Sequence, residues 1–246
     1  MGEDKYIDIF TFRVYALIFI RAFLFVFPRR FLDIYFRRCA MDTTETIRVN
    51  KGKVNVRSMT VTAMLSAIAF VLMFLDTAVP FVPNFIKLDV SELPALIASF
   101  ALGPVYGVVV CLIKNLLHLF ITTTGGVGEL SNFILGVAFV LPAGLIYYRK
   151  KSKKTAIFGA FVGAFLMAAI SFPSNLFIVY PVYYNFMPKD VIIGAYQAVA
   201  PFAEIKSIEQ CLLMFNVPFT FVKGLISAVI TVLIYQPLRP LLKGKN

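Results

Sequence analysis

The sequence predicts an all-α, polytopic membrane protein: a bundle of six transmembrane helices with both termini in the cytoplasm. Three observations carry this expectation. Of the 246 residues, 59% are hydrophobic and only 15% charged, where soluble chains run nearer a quarter charged, and the mean hydropathy is +0.82. Apolar runs near the length needed to span a bilayer, about 17–25 residues, recur along the chain. Basic residues gather between and beside those runs, as they do in the cytoplasmic loops of membrane proteins. The net charge of +11 therefore reads as topological bias, and no nucleic-acid partner is expected.

The chain divides into a basic N-terminal extension, residues 1–57, and a membrane domain, residues 58–246. Residues 1–58 hold 11 of the 24 Lys and Arg and 6 of the 13 Asp and Glu. Tyr6 to Phe27 is apolar and aromatic but broken by Asp8, Arg13 and Arg21, which a clean span would not hold without partners. Three readings stand: an interfacial amphipathic helix, a poor extra span, or translation from upstream of the native start. Met41 is the alternative start, leaving residues 1–40 outside the native protein. It opens a lead-in with Arg48, Lys51, Lys53 and Arg57, the usual prelude to a span anchored in the cytoplasm.

The apolar segments then follow in order: Thr60–Leu75, Leu93–Leu102, Val105–Thr122, Leu130–Tyr148, Thr155–Val179 and Cys211–Tyr235. The second is too short to cross alone and must recruit the end of the loop before it. Arg149-Lys-Lys-Ser-Lys-Lys154 places the loop between the fourth and fifth segments in the cytoplasm. Counting single crossings from there puts the lead-in and the C-terminal Arg239, Lys243 and Lys245 on the same side. The Pro80–Glu92 loop, the Thr122–Glu129 turn and the Tyr180–Glu209 loop then face outside.

Several chemistries have no visible basis. No phosphate-cradling G-x-x-x-x-G-K-[ST] occurs. Gly125-Gly-Val-Gly128 lacks the lysine and reads as a turn, either plain or in contact with a ligand. His118 is the only histidine, so a histidine-based metal site is not expected. No nucleophile–His–carboxylate set appears, so no enzymatic activity and no cofactor are expected. Cys39, Cys111 and Cys211 lack metal-binding spacing and read as small buried hydrophobes.

The stretch from Pro80 to Pro104 is the most informative. It sets Lys87, Asp89 and Glu92 between two apolar runs, and charge beside hydrocarbon must be buried in protein or line a watery cavity. Lys114 and Lys223 lie inside apolar runs at similar cost. Each reads either as a ligand contact or as a structural group, Lys114 bracing the third segment and Lys223 paired to helix-end carbonyls. Asn175, beside Pro173, sits where a kink can free backbone groups. Ala63-Met-Leu-Ser-Ala67 in the first segment spaces two small residues four apart, which permits close helix approach within the chain or with a partner.

Five pieces together resemble one family, the riboflavin-specific S components of energy-coupling-factor (ECF) vitamin transporters. They are Phe85-Ile-Lys-Leu-Asp-Val-Ser-Glu-Leu-Pro-Ala-Leu-Ile97, Phe100-Ala-Leu-Gly-Pro104, Leu112-Ile-Lys-Asn-Leu-Leu-His118, Gly125-Gly-Val-Gly-Glu-Leu-Ser-Asn-Phe133, and Asn175 with Phe221-Val-Lys-Gly224. The resemblance runs from about Val56 to Leu242. It implies capture of riboflavin, with FMN as a further candidate, for ATP-driven uptake across a bacterial cell membrane. The partners it implies are an energising module of two ATP-binding subunits and a transmembrane T component. Ala63 and Ala67 match its docking motif. Asn175 and Lys223 match its flavin-binding Asn and Lys. Where an Asn is expected three residues before that Lys, this chain has Thr220, with Asn216 a turn earlier, so either could supply the contact. Lys87, Asp89 and Glu129 complete the candidate substrate-binding set. Riboflavin wants aromatic walls and a few fixed polar groups, and the 26 Phe and 11 Tyr are compatible with that. The alternatives are an S component for another vitamin and an autonomous secondary carrier of a small aromatic solute. Paired broken helices in inverted repeats would mark the carrier, and none is seen.

Overall fold

The computed structural model describes residues 56–78, 83, 87–122, 125–185, 188–199 and 207–243. The expectations for the N-terminal extension, including a start at Met41, lie outside the described residues. The described chain is helical apart from one two-residue ladder. Helix α1 (Val56–Met73) leads to strands β1 (Thr77–Ala78) and β2 (Lys87–Leu88), then to the short α2 (Glu92–Ala101). Helix α3 (Pro104–His118) ends in a 3₁₀ turn, Leu119–Ile121, before α4 (Val127–Arg149). Helix α5 (Lys153–Ser174) continues through a π-helical turn, Asn175–Val179, into α6 (Tyr180–Tyr183). Helix α7 (Lys189–Val199) follows, then α8 (Ile208–Cys211), a second π-helical turn, Leu212–Asn216, and α9 (Val217–Lys243).

Among the described residues, five helical stretches are long and apolar enough to cross a membrane: Val56–Met73, Pro104–Ile121, Val127–Arg149, Lys153–Tyr183 and Ile208–Tyr235. The short α2 is the exception foreseen for the second segment. It is entered through an antiparallel ladder in which Thr77 faces Leu88 and Ala78 faces Lys87. Two expectations need amendment. The stretch read as a Tyr180–Glu209 loop contains the eleven-residue helix α7, whose Ile192 and Tyr196 are buried while the rest of its surface is mostly exposed. Glu129 lies not in a turn but in the first turn of α4.

Polarity in this bundle is distributed as lipid demands. Met64, Ile68 and Val71 on α1, Phe158 and Phe165 on α5, and Leu213, Val229 and Leu233 on the last span all face outward. The inward stripe of α1 is instead Ser58, Thr62, Leu65, Ser66, Ala69 and Met73. Its hydroxyls are satisfied within the helix, Thr62 donating to the Ser58 carbonyl at 2.7 Å and Ser66 to that of Thr62 at 2.8 Å. Ala63 and Ala67 lie on the exposed side of α1.

Helix α4 is the most enclosed span, packed against α2, α3 and α5, while α9 packs on α2 and α5. Small residues set the α4–α5 spacing. A Cβ on Gly159 would stand 2.8 Å from the Ala143 carbonyl oxygen, and one on Gly163 would overlap that of Phe139. Helix α5 starts inside the basic run, where Ser152 accepts the Thr155 amide at 3.2 Å. At that end of α4, Phe100, Tyr147 and Tyr235 stack with centroids 4.8–5.9 Å apart. There Tyr235 donates to the Phe100 carbonyl at 3.0 Å, tying α9 to the end of α2.

Because α4 and α5 touch backbone to backbone at Gly163, Gly163→Leu should force them apart. The expected loss is about 1–3 kcal/mol or more, read as a lower thermal midpoint of the detergent-solubilised protein. A variant as stable as the parent would show that the contact opens freely.

Candidate functional site

At the opposite end of α4 from the aromatic stack lies a cavity of about 390 Å³, within the roughly 300–1,000 Å³ typical of small-molecule sites. It gathers side chains from almost every span. Met73 and Asp76 come from the end of α1 and the residues after it, Asp89 from the loop before α2, and His118 from the end of α3. Glu129, Ser131, Asn132 and Leu135 come from α4, and Met167, Asn175, Val179, Tyr180 and Tyr183 from the interrupted fifth span. Asn216, Phe219, Thr220 and Lys223 close it from the last span.

Four charges organise one wall. Lys223 Nζ donates to Asp89 Oδ2 at 2.8 Å and lies 3.8 Å from Glu92 Oε2. Lys114, fully buried, donates to Glu92 Oε1 at 3.0 Å and to Ser91 Oγ at 2.5 Å. Ser91 closes the network by donating its amide to Asp89 Oδ1 at 2.9 Å and its hydroxyl to the same oxygen. Two carboxylates and two ammonium groups balance, which is the condition for keeping them from water at tolerable cost. Lys114 is not part of the cavity lining, which supports its bracing role.

A second polar group lies across the cavity, with His118 Nδ1 2.7 Å from Glu129 Oε1. The Gly125–Gly126 turn makes this pairing possible. Both glycines have positive φ, 64° and 87°, a region that L side chains rarely adopt, so the chain reverses tightly and sets Glu129 beside His118. A third group comprises Tyr180, Tyr196 and Asn216. The Tyr196 hydroxyl donates to Asn216 Oδ1 at 2.7 Å and lies 2.6 Å from the Tyr180 hydroxyl. Burial, then the neighbouring Tyr180, pushes the Tyr196 phenol well up, so it stays protonated and able to donate. Asn175 donates one N–H of Nδ2 to the Ser171 carbonyl at 2.8 Å, leaving its second N–H and its carbonyl oxygen to offer a ligand.

Two spans change pitch beside the cavity. The Tyr180 amide bonds the Asn175 carbonyl, and the Val217 amide bonds that of Leu212, the i→i+5 pattern of a π turn. In each case a proline follows six residues after the turn begins, Pro181 after Asn175 and Pro218 after Leu212. Proline has no amide hydrogen and its ring crowds the carbonyl four residues back. Widening the preceding turn accommodates that, and it places Asn175, Val179 and Asn216 on the cavity wall.

Six of the seven expected ligand residues, Asp89, Glu129, Asn175, Asn216, Thr220 and Lys223, line this one cavity. Lys87 is the seventh. Its backbone pairs in the ladder with Ala78, and its side chain lies outside what the structure describes. Sequence reasoning missed Asp76, His118, Tyr180 and Tyr183. The His118–Glu129 pair had a signal, since two of the quoted pieces end and begin on either side of one short turn.

Residues 57–235 match the family model described as ECF transporter, substrate-specific component. The chain is 34% identical over 189 residues to a protein of Staphylococcus aureus (strain TCH60) named riboflavin transporter RibU, covering 77% of this chain and 93% of that one. It is 31% identical over 188 residues to one of Bacillus subtilis (strain 168) named riboflavin transporter FmnP, covering 75% and 93%. A solved structure of the S component of a bacterial ECF transporter superposes with a TM-score of 0.62 at 31% identity, over 78% of this chain and 100% of that one.

The balanced charges generate a stability prediction. Lys114→Met should cost about 3–5 kcal/mol by stranding Glu92 without its closest cation, seen as a lower thermal midpoint. Adding Glu92→Met should recover much of the loss. A single variant as stable as the parent would show that Lys223 alone can neutralise Glu92.

Proposed function

Because this chain belongs to the family of ECF transporter substrate-specific components, we propose that it captures riboflavin in the 390 Å³ cavity and hands it on for ATP-driven uptake. The single observation that carries this reading is the convergence on one cavity of six ligand residues expected from the resemblance. The chemistry suits a flavin. Phe219, Tyr180 and Tyr183 offer aromatic surface for a flat ring system. Asn175, Asn216, Thr220 and Lys223 offer donors and acceptors to its uracil-like edge and ribityl hydroxyls.

In this reading the protein lies in a bacterial cell membrane and crosses it six times, α2 and the loop before it completing the second crossing. The basic loop at 149–154 is cytoplasmic, both termini lie on that side, and the cavity opens outward. The partners are two ATP-binding subunits and a transmembrane T component, which docks on the exposed Ala63 and Ala67 of α1. Residues 1–57 form an extension outside the binding domain, and residues 1–40 are dispensable for it.

Calorimetry on the purified protein should show one riboflavin per chain, bound more tightly than thiamine, biotin or pantothenate. Lys223→Ala should weaken binding more than Asn175→Ala, because a charged hydrogen bond contributes about 1.5–3 kcal/mol and a neutral one about 0.5–1.5. Tighter binding of a non-flavin vitamin would overturn the substrate and leave the family standing. Unchanged affinity in folded Lys223→Ala would confine that lysine to the buried charge network.

Docking is tested apart from binding. Ala63→Trp with Ala67→Trp should keep riboflavin affinity, since neither side chain lines the cavity, yet abolish copurification of the energising subunits and ATP-dependent uptake. A chain shortened to Met41 serves as control and should bind and transport as the full chain does. Retained assembly in the double variant would refute the docking face, and uptake without energising subunits would favour an autonomous carrier.

A further inference from the structure

Tyr196 stands on α7, outside the spans, and does not line the cavity, yet it is fully buried. Its single hydroxyl proton goes to Asn216 Oδ1 at 2.7 Å. The 2.6 Å contact with the Tyr180 hydroxyl must then be donated by Tyr180. The result is a directed chain, Tyr180 to Tyr196 to Asn216, and its effect falls on the amide. An asparagine side chain has one acceptor end and one donor end, and its terminal torsion is broad and roughly two-fold. Left alone in a cavity it could present either end to a ligand. Here the acceptor end is occupied by Tyr196, and the side chain lines the cavity.

We infer that Tyr196 is a positioning residue for the ligand: with Tyr180 behind it, it holds Asn216 so that the amide N–H, and not the carbonyl, faces the cavity. That corner of the site therefore selects ligands presenting an acceptor, such as a carbonyl oxygen or unprotonated ring nitrogen, and rejects those presenting an N–H or O–H donor alone. The inference rests on the riboflavin reading, whose uracil-like edge supplies such acceptors. The placement explains why a helix outside the membrane spans buries a tyrosine so completely. Asn216 ends one π turn and Tyr180 immediately follows the other, so one hydroxyl of α7 ties together both widened turns.

The test is a double-mutant cycle on the full-length protein in detergent, titrated with riboflavin and followed by quenching of flavin fluorescence. Tyr196→Phe, which keeps the ring and removes the hydroxyl, should weaken binding roughly three- to tenfold, the range of one neutral hydrogen bond. Asn216→Ala should weaken it at least as much. The two together should bind no worse than Asn216→Ala alone, because the phenol acts only through the amide. Additive losses would show that Tyr196 merely packs and would overturn the inference, as would full affinity in folded Tyr196→Phe. Should that variant fail to fold, Tyr180→Phe is carried through the same cycle, and additivity with Asn216→Ala again overturns it. Absence of riboflavin binding by the unaltered chain would remove the reading itself, an outcome distinct from a binding protein indifferent to Tyr196.

Discussion

Everything around the cavity depends on four charges that the bilayer would not otherwise tolerate. Lys223 comes from α9, Lys114 from α3, and Asp89 and Glu92 from either side of Ser91 at the entrance to α2. None of these groups could stay ionised alone in such surroundings, and removing one partner leaves another stranded. The network is thus a constraint on three segments at once. It fixes where the loop before α2 meets the bundle, and it offers a physical reason for α2 to be short. A longer helix would have to run through the positions that now present Asp89 and Ser91 to the lysines.

The opposite end of α2 is held by different means. The Tyr235 hydroxyl takes the Phe100 carbonyl in a knot of three aromatic rings. Helix α9 therefore clasps α2 at both ends, by ion pairs beside the cavity and by aromatic contact away from it. Between them the Ser227 and Thr231 hydroxyls are buried without a hydrogen-bond partner among the described residues, on the same stripe of α9 as Thr220 and Lys223. Small polar groups there cost less than bulk would, because α9 must also approach α5 closely enough for Gly224 to meet Ala164. Packing along this helix is governed by proximity more than by apolar area, as expected where lipid gives helices no hydrophobic reason to associate.

Much of this was legible in the chain. Hydropathy located the apolar segments to within a few residues, including the short Leu93–Leu102, because a membrane leaves little choice about what can lie in it. The charged stretch Lys87–Glu92 announced itself by the cost of its surroundings. What hydropathy could not reveal is pitch. A π turn changes which residues share a face without changing composition, so the placement of Asn175 and Asn216 on one wall was available only through resemblance. The repeated offset of Pro181 and Pro218 from the turns they follow is the local signal that was there to be read. Helix α7 was missed for a different reason. Its Lys189–Val199 sequence is short and begins on two charges, and its buried face comes down to Ile192 and Tyr196, four residues apart.

Helix α1 shows how one span serves two environments. Its inner stripe satisfies the Thr62 and Ser66 hydroxyls on carbonyls within the helix. Its outer face sets Ala63 and Ala67 between Met59, Met64 and Ile68, a shallow strip flanked by flexible and branched apolar side chains. The charge network that fixes the binding wall draws nothing from α1. The charged wall of the cavity and the exposed Ala63–Ala67 strip are thus built from different parts of the bundle, so a change on one need not disturb the other.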